Sequence, residues 1–176
     1  MRISSRRCGF SLIELMIGIV IFGILIMAGL PSYTAWLQNT KIRTAAESIV
    51  NGLQLARAEA VRRNTNVRYV FGTDTDWTVA VVTPLTTIQS RSSAQGSVGV
   101  IVTRTPAAAT TITFNSFGRV APNADGSASI TQIDVDVPTT LLAAAASREL
   151  RITLSAGGNI RMCDPNVTAS TDTRFC

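Results

Sequence analysis

From Leu15 to Leu30 the chain reads LMIGIVIFGILIMAGL, sixteen residues without a charge. Extended back to Phe10 the apolar stretch is 21 residues long, interrupted only by Ser11 and Glu14. As a helix it measures about 32 Å, enough to cross a bilayer core. A secretory signal peptide is the alternative, but its apolar region runs only ~7 to 15 residues and closes on a small-residue cleavage site. This stretch is longer, and the AGLPSYTAW that follows is a poor site of that kind. Arg2, Arg6 and Arg7 precede the span while only Lys41 and Arg43 follow it closely, so the N-terminus is expected in the cytoplasm and everything after Pro31 outside.

Glu14 is the anomaly in this segment. A carboxylate at mid-membrane costs about 2.5 to 3.5 kcal/mol, and less near the edge, so it needs a shallow position or a partner. Were the chain cut between Gly9 and Phe10, the new amino terminus would be a cation one helical turn from Glu14. A neighbouring copy's amine could then meet the carboxylate inside a helical bundle. A short basic leader, Gly9, an aromatic Phe10, a glutamate fifth in FSLIE and an apolar helix with Pro31 twenty-second from Phe10 closely resemble the class III signal of type IV pilins and type II secretion pseudopilins. The resemblance implies cleavage after Gly9 by a prepilin peptidase, N-methylation of Phe10, and packing of the helix into a filament core with Glu14 as an assembly residue.

Pro31 lacks an N–H and clashes with the carbonyl four residues back, so a bend or local unwinding is expected there. Beyond it Ile42, Ala45, Ala46, Ile49, Val50, Leu53, Ala56, Ala60 and Val61 recur at steps of three and four, one apolar face of a helix. The helix should end near Arg63, where RRNTN puts cations at its C-terminal end and asparagines suited to a stop.

After Asn66 the period changes. VRYVFG, WTVAVVT, VGVIVT, TITFN, ITQIDVDV, ELRITLS and NIRMC are short β-branched segments separated by Gly, Pro, Asn, Asp and Ser clusters. They predict a small, mainly antiparallel β domain, with TPLTTIQSRSSAQGS and TLLAAAAS as loops or a short helical turn. The helix should cover one sheet surface, so the fold class is α+β: a long N-terminal helix, half transmembrane and half amphipathic, on a β domain. The expected divisions are a leader at 1–9, a transmembrane helix at 10–30, its amphipathic continuation at 31–63 and the β domain at 64–176.

The net charge of +5 says little about partners, because three arginines lie in the leader and the chain from residue 10 on holds 13 cations against 11 carboxylates. With no histidine and scattered acids, little is left from which to build a catalytic or metal site, and neither an enzyme nor a cofactor is expected. Asp125, Asp134 and Asp136 invite a calcium reading, but ADGSA is more simply a turn and IDVDV an alternating strand. Cys8 would leave with the leader, and Cys163 and Cys176 remain as a pair outside the cytoplasm. A bridge between them would close a loop of about 14 residues and stabilise by roughly 3 kcal/mol in the chain-entropy account. Free thiols or a metal pair are the alternatives, and two cysteines without histidine make a poor zinc site.

In ELRITLSAGGNIRMC, a three-residue loop at Ala156, Gly157 and Gly158 would pair Leu154 with Ile160 and Ile152 with Met162. Arg151, Thr153, Asn159 and Arg161 would then share the outward face, and with Arg148 and Arg174 form a modest basic patch able to hold phosphates. Glu149, Asp164 and Asp172 dilute it, and a plain solvated hairpin face is the competing reading.

LQLARAEAVRRNTNV, ITFNSFGRVAPNADGSASI and GGNIRMCDP together resemble the GspH/FimT family, and the CDP tail is more similar to its FimT- and FimU-type pilus members than to its secretion members. The resemblance implies a type IV pilin-like fold and a minor pilin of low copy that helps initiate or cap a filament. Its implied partners are other minor pilins, the major pilin and the bacterial inner membrane, with the C-terminal domain in the periplasm and later on the pilus. A type II secretion minor pseudopilin is the alternative. Some FimT-like members are implicated in DNA binding during transformation through a Gly-Arg-x-Arg motif, which makes double-stranded DNA, bound without sequence specificity, a candidate partner. Here Gly158-Asn159-Ile160-Arg161 has asparagine for the first arginine and Gly118-Arg119-Val120-Ala121 lacks the second, leaving Arg161, Arg151, Arg148 and Arg174 as candidates.

Overall fold

One helix, α1 (Leu12–Arg63), accounts for 52 residues of the computed structural model, which describes residues 11–176 apart from the side chains of Ala28 and Pro31. The leader, Cys8, Gly9 and Phe10 lie outside the described residues. The helical assignment runs through Pro31 without interruption. The chain divides into two compact units, Met1–Trp36 and Leu37–Cys176.

In the first unit the helix is long and apolar enough to cross a membrane, with a mean hydropathy of 2.6 over its most apolar stretch. Its large apolar side chains, among them Leu15, Ile19, Phe22 and Leu25, are exposed. In the second unit the helix buries a face: Ile42, Ala45, Ala46, Ile49, Leu53, Ala56 and Ala60 are essentially inaccessible. Val50 packs against the core from its margin. Val61, expected on the same face, is instead half exposed. One residue past Ala60 the stripe has rotated away from the sheets. The helix stops as its composition predicts. Asn64 takes a positive φ of 52°, Thr65 N–H bonds Ala60 O, and Asn64 N–H bonds Val61 O, which together satisfy the last carbonyls.

Among the described residues nine strands form two sheets. The first contains β1 (Val67–Phe71), β2 (Trp77–Val81), β3 (Thr86–Arg91), β5 (Thr111–Phe114) and β6 (Val120–Ala121), in the order β3-β2-β1-β5-β6. The second contains β4 (Ile101–Thr105), β7 (Gln132–Asp136), β8 (Leu150–Leu154) and β9 (Ile160–Cys163), in the order β4-β7-β8-β9. Every strand pair is antiparallel. Each of the seven apolar segments contains one of these strands, and TLLAAAAS ends in a 3-10 turn at Ala144–Ala146. Two strands were not legible. β3 lies in the stretch expected as loop, because an exposed edge strand needs no buried face and carries no alternation. β6 is two residues long.

The strands divide between two sheets, whose buried residues share a single core with the helix stripe. Val67, Tyr69, Phe71, Trp77, Val79, Ile112 and Phe114 contribute from the first sheet, Ile133, Val135, Ile152 and Leu154 from the second, and the α1 stripe from the helix. The stripe from Ile42 to Ala60 is about 27 Å long, whereas a five-residue strand spans about 17 Å. One helix face therefore has length enough for both sheets. All of these core residues lie within Leu37–Cys176, so this unit holds what it needs to fold by itself.

Candidate functional site

At the helix start, Ser11 Oγ accepts the Glu14 N–H at 3.3 Å, and Leu15 N–H bonds Ser11 O. Ser11 thus acts as N-cap with Glu14 three residues on, the spacing of a capping box. The carboxylate sits in the first turn, where the helix dipole favours a negative charge. Besides a shallow position or a partner amine, Glu14 thus has a local reason to be an acid, and Ser-x-x-Glu carries it in the sequence.

The hairpin follows the register derived from its alternation. Ile152 pairs with Met162, Thr153 with Arg161, and Leu154 with Ile160. Ser155 N–H bonds Asn159 O, Gly158 N–H bonds Ser155 O, and Gly158 takes a φ of +81°, so the turn closes on the three expected residues. Cys163 and Cys176 are bridged, with their Cα atoms 5.2 Å apart. The bridge returns the tail to β9, where Asp164 N–H bonds Arg174 O and Arg161 Nη2 donates to Phe175 O.

Of the four candidate arginines, three are engaged by protein acceptors and two line a cleft. Arg151 and Arg161 stand on the side of the second sheet away from the core, on alternate positions to the buried Ile152 and Leu154. Arg151 Nε is 2.6 Å from Asp134 Oδ1, and Arg161 is spent on the tail carbonyl. Arg174 pairs with Asp172 at 2.8 Å, and that hydrogen bond holds the Asp172 carboxyl down at about 2. Arg148 and Arg174 line a cleft of about 350 Å³ together with Asn39 and Arg43 of α1, Leu150, Met162, Cys163 and Asp164. Asn39 fixes one rim, its Nδ2 donating to Ala146 O at 3.0 Å and its Oδ1 accepting Arg148 N–H at 2.8 Å. Among the described residues the Arg148 guanidinium has no hydrogen-bond or ion-pair partner. The surrounding field is mixed: burial, then Asp136 and Asp134, raise the Glu149 carboxyl above its ordinary value. Sequence periodicity could not foresee this grouping, since Asn39 and Arg43 are more than a hundred residues from Arg148.

The sequence profile of the family described as Type II transport protein GspH matches residues 45–158, more than half of the chain. The prokaryotic N-terminal methylation motif matches residues 4–30. No curated protein sequence matches significantly. Among solved structures the chain is similar to the type IV minor pilin FimU of Pseudomonas aeruginosa strain PAO1 in two crystal forms. In space group P21 the TM-score is 0.53 at 16% identity, covering 76% of this chain and 99% of that one. In space group P65 it is 0.50 at 16% identity, covering 72% and 99%. At that identity the likeness concerns the fold: a long N-terminal helix on antiparallel sheets.

Proposed function

The chain belongs to the GspH family, and from that premise we propose that it is a minor type IV pilin that takes part in pilus assembly from the bacterial inner membrane. The observation that carries the reading is the methylation motif at residues 4–30, joined through one unbroken helix to the family's β domain. Prepilin peptidase cleaves after Gly9, Phe10 becomes the methylated N-terminus, and the domain from Leu37 onward faces the periplasm before joining the filament. The exposed apolar helix is held first by lipid and then by the helices of neighbouring pilins, with Glu14 meeting a partner's terminal amine. Pro31 bends the helix as it leaves the membrane. Its work is packing and interaction rather than catalysis.

The test separates pilus from secretion. Deleting the gene should remove surface pili, seen by electron microscopy, and leave protein secretion intact, with piliation restored by the wild-type chain. Loss of secretion with normal pili would make the protein a type II pseudopilin. A Gly9→Val chain should fail to complement and run at the mass of the uncleaved precursor.

DNA binding stands as a second, narrower reading, favoured by the unengaged guanidinium of Arg148 beside Arg43 and Arg174 at the cleft. Three of the four candidate arginines already bond protein acceptors, so binding to duplex DNA should be weak and fall steeply with salt. A titration of residues 37–176 against Arg148→Ala and Arg161→Ala tests it, and absence of binding in low salt leaves assembly alone.

A further inference from the structure

The turn at 115–119 joining β5 to β6 places a phenylalanine in solvent. Phe117 is 83% exposed, more than any other large apolar side chain in the β domain. The backbone beneath it is fixed. Asn115 Oδ1 accepts the N–H groups of Phe117 and Arg119 at 3.0 and 3.1 Å, Gly118 N–H bonds Asn115 O, and Asn115 N–H bonds Arg119 O. From the helix, Arg57 Nε donates to Gly118 O at 3.1 Å. From the β8–β9 hairpin, Val120 N–H bonds Ala156 O, and Gly158 is so close that a Cβ on it would lie 1.9 Å from Gly118 O. A turn braced from two sides that presents its aromatic ring outward is preorganised to enter a recess, because little freedom remains to be lost on binding.

Against the turn itself lies Val61, 52% exposed, whose Cγ2 is 3.3 Å from where a Gly118 Cβ would stand. This is the residue that leaves the expected inward stripe. The charges on the turn and its helical brace are Arg119 and Arg57, and no carboxylate joins the bonds that fix it among the described residues. The surface is thus an aromatic knob with an aliphatic neighbour and a cationic rim.

We propose that Phe117 and Val61 dock this protein onto the globular domain of a different pilin-type subunit, into an apolar recess edged by aspartate or glutamate. The proposal rests on the minor-pilin reading and adds to it the contact surface and the partner's chemistry. A nucleic acid fits less well: the Arg57 Nε–H is spent on Gly118, leaving Arg119 as the one unengaged cation on the turn among the described residues, where a phosphate track needs a row of them. A two-fold contact with a second copy would set cationic rim against cationic rim.

The test uses the full-length protein in its own cells, with the photo-reactive residue p-benzoylphenylalanine at position 117 and, as a control, at Leu85, which is 65% exposed on the β2–β3 connection. The expected result is a light-dependent adduct at 117, absent at 85, whose partner is identified by mass spectrometry as another chain with an N-terminal methylation motif, linked near an acidic residue. Arg119→Glu should reduce that adduct at least fivefold. Adducts with a second copy, nuclease-sensitive adducts, or no adduct at 117 overturn the proposal. The isolated 37–176 unit carrying Phe117→Ala should melt within about 1 °C of the unsubstituted unit, and a fall of many degrees would make Phe117 structural and also overturn it. If the chain keeps its leader in these cells, the minor-pilin reading fails and not this contact.

Discussion

At the residue scale, the two adjacent glycines of the β8–β9 turn carry different constraints. Gly158 combines a φ of +81° with a carbonyl in the space a methyl would fill, so Gly158→Ala is expected to destabilise the 37–176 unit by about 2 kcal/mol or more. Gly157 meets only Ser155 Oγ at 3.7 Å, and Gly157→Ala should shift the urea midpoint little. Equal effects at both positions would refute the close approach. Glu59 carries the clearest pH dependence. Hydrogen bonds from Arg62 and Arg63 lower its carboxyl from 4.5 to about 2. The folded value lies below the unfolded one, so the pairs stabilise fully above about pH 4.5 and the contribution is lost as pH falls toward 2. The slope is shallow because Arg62 is well exposed and salt screens it. In Glu59→Gln the melting temperature should change less over that window, and an unchanged slope would place the acid sensitivity elsewhere.

At the element scale, the helix meets the first sheet through a ring stack. Tyr69 and Trp77 lie with ring centroids 5.7 Å apart, Phe71 meets Tyr69 edge-on at 5.1 Å, and Trp77 Nε1 donates to the buried Ser48 Oγ at 3.0 Å. Burial raises the Tyr69 hydroxyl well above its ordinary value. Gly52 leaves room for this stack, since a Cβ there would stand 2.8 Å from Tyr69 and 3.0 Å from Trp77. In an open helix Gly→Ala stabilises by about 1 kcal/mol. Here overpacking costs about 1 to 3 kcal/mol, because neither ring can retreat, and Gly52→Ala should be net destabilising by chemical denaturation. The bridge acts at the other end of the unit. Reducing Cys163–Cys176 removes a constraint worth about 3 kcal/mol in the chain-entropy account, so the melting temperature should drop by several degrees. Hydrogen exchange at Asp164 should rise with it, and an unchanged profile would show that the tail holds itself.

At the scale of the whole molecule the two units obey different rules. The second closes its own core, while the first leaves its large apolar side chains exposed on a helix long and apolar enough to cross a membrane. Glu14→Ala tests the assembly role proposed for that helix: the chain should insert and be processed normally yet reduce pili per cell severalfold, and unchanged piliation would leave the carboxylate only its place in the helix's first turn. The long apolar helix, its end at Arg63, seven strands and the hairpin register were determined by the sequence alone. They rest on local periods, on the missing charge between Leu15 and Leu30 and on turn chemistry at Gly158, all of which act over a few neighbouring residues. The tertiary structure alone decided that two sheets share one core with α1, that Ser48 belongs among buried residues, that Arg148 and Arg174 line a cleft with Asn39 and Arg43, and that Phe117 stands braced in solvent. Those outcomes depend on residues far apart in the chain, such as Asn39 with Arg148 and Gly118 with Gly158. Such pairs leave no period to read, because their meeting is fixed by packing rather than by spacing.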